Sequence, residues 1–229
     1  MKKYVVSALL FSSTVLASDS YAKNAFHGWT VGIGAGYQHL SSSGNGTVTS
    51  GNANETAKYQ PTANGVVGEI QAGFSRESGK IYYAGNLFLN TSSSKGTTTK
   101  DLEVGAVDTV NQVKLSQKYS FGIVGHLGRK ISESTALYGI LGVSYSKYRV
   151  KYSESETEGS GSQTKGVVGF PFGVGISRAV SNSLSVFGEG TYTISKSFTT
   201  KDLHDGTEDF QVKIAPRTLN VLAGVRYTF

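Results

Sequence analysis

The chain has 229 residues, 38% of them hydrophobic, with 29 Gly, 13 Tyr, 11 Phe and no Cys. That length suits one domain of moderate size, and the absence of Cys excludes disulfides, thiolate metal sites and a lipid-modified N-terminal cysteine. The formal charge of +6 forms no basic cluster, which together with an export segment argues against nucleic-acid binding.

Lys2 and Lys3 precede an apolar stretch from Val5 to Ala17, and Ser20-Tyr21-Ala22 sets small residues at the −3 and −1 positions of a cleavage site. The stretch is about 13 residues, below the roughly 20 that a spanning helix needs. Residues 1–22 are therefore predicted to be a cleavable signal peptide, and 23–229 one exported domain.

Beyond it, apolar residues recur with period two in eight segments. The first alternates Trp29, Val31, Ile33, Ala35 and Tyr37 with Thr30, Gly32, Gly34, Gly36 and Gln38. The second sets Val66, Ile70, Ala72 and Phe74 against Glu69, Gln71 and Ser75, and the third Ile81, Tyr83, Leu87 and Leu89 against Tyr82, Asn86 and Asn90. In the fourth, Tyr119, Phe121, Ile123 and Leu127 oppose Ser120, Gly122, His126 and Gly128. The fifth is less regular: Leu137, Leu141, Val143 and Tyr145 fall on one face, but Ile140 shares the other with Tyr138 and Ser144. The sixth alternates Val168, Phe170, Phe172, Val174 and Ile176 with Gly169, Pro171, Gly173, Gly175 and Ser177. The seventh opposes Leu184, Val186, Tyr192 and Ile194 to Ser185, Glu189, Thr191 and Thr193. The eighth opposes Leu219, Val221, Ala223, Val225, Tyr227 and Phe229 to Thr218, Asn220, Gly224, Arg226 and Thr228.

Connections near 76–80, 130–134 and 180–183 are short, while those near 41–64, 91–117, 147–166 and 196–216 are long and polar. Short turns at one end, long loops at the other and an even strand number predict an all-β fold, an eight-stranded antiparallel up-and-down transmembrane β-barrel. A soluble sandwich or lipocalin-like barrel also alternates but turns its apolar face inward. Here the face opposite the apolar one is mostly Gly, Ser and Thr, too polar for a core in a lumen only wide enough for side chains. Residues 41–54 and 153–165 have compositions that bury little apolar surface, so local disorder is expected there.

Aromatics fall near segment ends, as a membrane girdle requires. Tyr37, Tyr119, Tyr145, Phe170 and Tyr192 are assigned to the outer interface, and Phe26, Trp29, Phe74, Tyr227 and Phe229 to the periplasmic one. Lys118, Lys147, Arg149, Lys151, Lys196, Lys213 and Arg217 lie just beyond the outer segment ends, a candidate rim for lipopolysaccharide phosphates or simply a solvated loop base. Acidic residues, Glu154, Glu156, Glu158, Asp202, Asp205, Glu208 and Asp209, sit farther out. On the central inward faces the titratable groups besides tyrosines are Glu69, His126, Glu189 and Arg226. An unpaired charge in a narrow lumen is costly, so an Arg226–Glu189 pair reaching toward Glu69 is expected to block ion flow.

The first segment and the terminal Gly224-Val225-Arg226-Tyr227-Thr228-Phe229 resemble the small eight-stranded Gram-negative outer-membrane proteins, the group of the OmpA barrel, OmpX and the opacity proteins. The resemblance covers 23–229 by pattern more than by motif. It implies a last strand read by the barrel assembly machinery through Gly224, Tyr227 and Phe229, with Leu222 where a polar residue is usual. Unlike the full OmpA architecture, no periplasmic peptidoglycan-binding domain is expected to follow the barrel. Members of the group serve as adhesins, antigens, stability proteins or minor pores.

The expected function is a structural and surface-interaction role in the cell envelope, adhesin- or antigen-like, with four outer loops contacting host or matrix molecules. A narrow porin-like channel is the alternative, and a lipid A-modifying enzyme a third. His39 adjoins Ser41, Ser42 and Ser43, and His204 lies between Asp202 and Asp205, but sequence neighbours do not make the relay a Ser-His-acid hydrolase needs. No catalytic, cofactor-binding or metal residue is assigned.

Overall fold

The computed structural model describes residues 25–50, 53–59, 62–94, 96–104, 107–154, 160–200 and 209–229, with side chains for 25–43, 62–94, 96, 115–150, 162–199 and 213–229. The predicted export segment, residues 1–22, lies outside this set. Eleven strands follow in chain order: β1 (Gly28–Ser50), β2 (Ala53–Tyr59), β3 (Thr62–Ser78), β4 (Ile81–Ser92), β5 (Gly96–Val104), β6 (Val107–Ser132), β7 (Thr135–Glu154), β8 (Ser160–Ala179), β9 (Leu184–Ser195), β10 (Phe198–Thr200) and β11 (Asp209–Thr228).

Eight of them are staves. Each pairs antiparallel with the next in the order β1, β3, β4, β6, β7, β8, β9, β11, and β11 returns to β1 over a ladder from Thr30↔Thr228 to Thr49↔Asp209. Closure satisfies every backbone edge internally, which a spanning sheet must do because acyl chains offer no hydrogen bonds. The fold is the eight-stranded up-and-down barrel, and β2, β5 and β10 are short additions on the outer hairpins.

The period-two pattern sorts side chains as the sequence suggests. Ile33 is 61% exposed on the outer wall, Leu141 70% and Val174 66%, whereas Gln38, Asn86 and Arg226 on inward positions are 3% exposed or less. Apolar out and polar in suits acyl chains outside and a hydrophilic interior. No helix among the described residues is long and apolar enough to cross a membrane.

The lumen is not polar throughout. Ala25, Phe26, Tyr82, Val124, Ala136, Tyr138, Ile140 and Ala179 form an apolar cluster at the end where the short turns lie. A second, of Leu40, Ala63, Leu115, Tyr148, Val150, Val167 and Ile214, fills the opposite end. Ile140, which blurred the fifth segment, is thus a packing residue of the first cluster. Phe26 departs from its expected place in the girdle: it is 2% exposed and packs edge-on against Tyr82, ring centroids 5.6 Å apart. It precedes the first stave, so no strand alternation directs it to the wall, and the open barrel end offers it a dry seat. Ala25 is tied there by the Thr228 hydroxyl, which donates to its carbonyl at 2.9 Å.

Within 41–54 and 153–165, where local disorder is expected, the described residues 41–50, 53–54, 153–154 and 160–165 are strand. Staves β1 and β7 run on to Ser50 and Glu154, and the β1–β2 and β7–β8 ladders continue beyond the apolar band. Ladder hydrogen bonds satisfy the backbone without apolar burial, so a composition unable to build a core can still extend a hairpin. Residues 51, 52 and 155–159 lie outside the description.

Candidate functional site: the charged lumen and the outer rim

Between the two apolar layers lies one connected polar group. Arg226 of β11 and Glu189 of β9 meet at 3.1 Å, both almost fully buried. Their strands are neighbours, but Arg226 sits opposite Ser185 in register, so its long side chain runs along the wall to reach the carboxylate. The guanidinium lies over the Phe187 ring, 4.8 Å from its centroid. A Cβ at Gly224 would run into that ring and the Ile33 carbonyl, so the inward glycine of the terminal segment makes room for Phe187.

Two further side chains complete the connection. From β7, the Tyr138 hydroxyl donates to Glu189 Oε1 at 2.7 Å. From β3, Gln71 accepts from Arg226 Nη2 at 2.8 Å through Oε1, and its Nε2 donates to Glu69 Oε1 at 2.7 Å and Glu189 Oε2 at 3.2 Å. Glu69 therefore joins Arg226 through a neutral carboxamide. Asn90 Nδ2 adds a long contact to Glu69 at 3.4 Å. His126 stands apart from the ions: its ring stacks on Tyr138 at 4.7 Å, and its Nδ1 lies 3.4 Å from Asn86 Nδ2. Reading the sequence for charge missed Gln71 and Tyr138, because neither carries a formal charge. The one signal available was their place on inward faces near the acids.

The terminal aromatics Tyr227 and Phe229 point outward and meet edge-on at 5.0 Å. With Trp29 and Phe74, also edge-on at 5.5 Å, they form the aromatic edge on the short-turn side. On the other side Tyr37, Tyr119, Tyr145 and Phe170 are exposed and Tyr192 is half-buried.

The basic rim is described except for the Lys151 side chain. Lys118 is the extra residue of a register shift between Gln117 and Tyr119, and it is exposed beside Lys147, which pairs with Tyr119. Lys147 Nζ lies 5.7 Å from the centre of the Tyr119 ring, a cation–π distance, and Arg149 follows on the same face of β7. A second group forms on β9 and β11. Arg217 pairs with Ile194, so Lys196, just past the end of β9, comes level with the stretch between Arg217 and Lys213. All three are exposed. The acidic residues Glu156, Glu158, Asp202, Asp205 and Glu208 lie outside the described residues, as does His204.

His39 contacts Asn64 Oδ1 through Nδ1 at 2.6 Å. Its partner is a carboxamide and not the carboxylate that a Ser-His-acid relay requires. No group of three His, Cys, Asp or Glu suited to a metal ion occurs among the described residues.

A closed barrel with an apolar outer wall, aromatic edges and a polar centre defines an outer-membrane β-barrel protein. The chain belongs to the outer membrane protein beta-barrel domain family, which it matches over residues 7–229. No curated protein matches it. Among solved structures it is similar to the attachment invasion locus protein Ail of Yersinia pestis, in complex with the heparin analogue sucrose octasulfate (17% identity, 87% of this chain and 99% of that one, TM-score 0.36). It is also similar to Neisserial surface protein A (16%, 86% and 99%, TM-score 0.38) and to the outer membrane protease OmpT of Escherichia coli (11%, 93% and 100%, TM-score 0.51). At these identities the barrel fold is what they share.

Proposed function

We propose that the protein is a non-enzymatic surface anchor of the outer membrane, holding four outer hairpins for contact with host or matrix molecules. The observation that supports this reading best is the lumen. Apolar layers at both ends and an ion-paired network between them leave the interior occupied by side chains, while β1, β6 and β7 carry the wall well beyond the outer aromatic edge. A narrow porin-like channel would need a continuous wet path where Phe26, Tyr82 and Tyr138 are packed. The basic groups around Lys147 and Arg217 serve, in this reading, to bind lipopolysaccharide phosphates by charge-assisted hydrogen bonds. Residues 1–22 direct export and are removed by cleavage after Ala22, and the terminal strand with Gly224, Tyr227 and Phe229 is read by the barrel assembly machinery.

The test uses cells displaying the full chain beside cells displaying a barrel whose long hairpins are shortened to tight turns. Adhesion to immobilised extracellular-matrix proteins and glycans is expected for the first and not for the second. Equal adhesion by both would remove the surface-contact role. Altered lipid A mass on expression would point instead to a lipid-modifying enzyme.

A further inference from the structure

The middle of the lumen holds two carboxyl groups and one guanidinium, so Glu69, when ionised, has no counter-charge of its own. Among the described residues there, Glu69 and Glu189 are acidic and Arg226 is the one guanidinium, in contact with Glu189. Glu69 is 9% exposed and receives hydrogens only from neutral carboxamides, those of Gln71 and Asn90. A carboxamide dipole offsets part of a buried charge but does not cancel it.

Next to Glu69 is a cavity of about 30 Å³, also lined by Asn90, Gln117, Ser120, Ser146 and Thr193. Two oxygens of its lining, Asn90 Oδ1 and Gln117 Oε1, have no protein partner, although both side chains are only 3% exposed. Buried polar atoms are nearly always satisfied, so two orphaned acceptors in one small space require an occupant that donates or is positive. The space is large enough for about one or two occupants the size of a water molecule. Water would satisfy the acceptors but give an ionised Glu69 no counter-charge. A hard cation answers both, since it takes carboxylate, amide and hydroxyl oxygens. One carboxylate, once ionised, calls for a single positive charge.

We propose that this cavity binds a monovalent hard cation, sodium or potassium, with Glu69, Asn90 and Gln117 as its protein ligands. The site sits inside the barrel and does not depend on what the hairpins contact.

The experiment uses the full chain folded in detergent micelles. Thermal unfolding is followed in sodium, potassium and choline chloride at equal ionic strength, so that general screening is common to all three. A saturable rise of a few degrees in melting temperature is expected with sodium or potassium over choline, and the stronger of the two identifies the ion. Glu69→Gln is expected to lose this rise and, in choline, to melt no lower than the unmodified protein. Gln117→Met is a second variant, expected to reduce the rise, should Glu69→Gln fail to fold. Sodium-23 relaxation gives an independent reading, with broadening by the unmodified barrel that excess potassium reverses if the two ions compete. Identical melting in the three salts, as water alone in the cavity would give, overturns the proposal. So does a rise that survives undiminished in Glu69→Gln.

Discussion

Arg226 and Gln71, on staves separated by β1, are joined by a 2.8 Å hydrogen bond from the guanidinium to the carboxamide oxygen. The same carboxamide donates to both lumenal acids, at 2.7 Å and 3.2 Å. A neutral side chain thus links three charged ones across the barrel.

Gln71→Leu keeps most of the volume and removes every one of these bonds. The charged atoms left short of partners are buried, so a loss of about 2–3 kcal/mol is expected. Urea unfolding in detergent measures it. A change within error would show that Gln71 fills space without supporting the charges.

Arg226→Ala leaves Glu189 buried and unpaired, and removal of one partner from such a pair costs about 3–5 kcal/mol. Arg226→Ala combined with Glu189→Gln is expected to recover a good part of that loss, because the orphaned charge is gone. A double variant as unstable as the single one would place the cost in lost packing on Phe187.

Phe26 and Tyr82 close the short-turn end of the lumen. Phe26→Ala opens a cavity in that layer and is expected to destabilise the barrel by about 3 kcal/mol, read as a lower midpoint in the heat-dependent gel shift. Phe26→Leu should recover most of it. A residue in the lipid girdle would instead tolerate Ala with little change in midpoint.

The parts of this structure that follow from periodicity were legible in the sequence. Side chains at Trp29 to Gln38 and at Thr218 to Phe229 face outward and inward as alternation requires, since a stave in a closed barrel has only those two faces. What alternation does not encode was misplaced or missed. Phe26 precedes the first stave and turns inward because the lumen has an open end there. The hairpins beyond residue 41 are paired because backbone bonds, and not composition, hold them. Gln71 and Tyr138 carry no formal charge, and only the closed geometry brings β3, β7, β9 and β11 to one point. Sequence position alone puts Arg226 and Glu189 on adjacent staves, and the structure joins them by running the Arg side chain along the wall.

Gly224 offers a way to separate folding from the proposed recognition by the assembly machinery. Because a Cβ there would collide with Phe187 and the Ile33 carbonyl, Gly224→Ala is expected to slow and weaken refolding of the purified chain into detergent, where no machinery is present. Adding Phe187→Leu should restore part of the yield. Normal refolding of Gly224→Ala alone would show that the glycine is not needed for folding.

Current through a planar lipid bilayer containing the purified full chain is the most direct test of a barrel blocked along its axis. The packed layers around Tyr138 and Tyr148 predict no steady open level at either polarity, with brief flickers at most. A stable ohmic conductance in every inserted molecule would contradict the anchor and establish a channel.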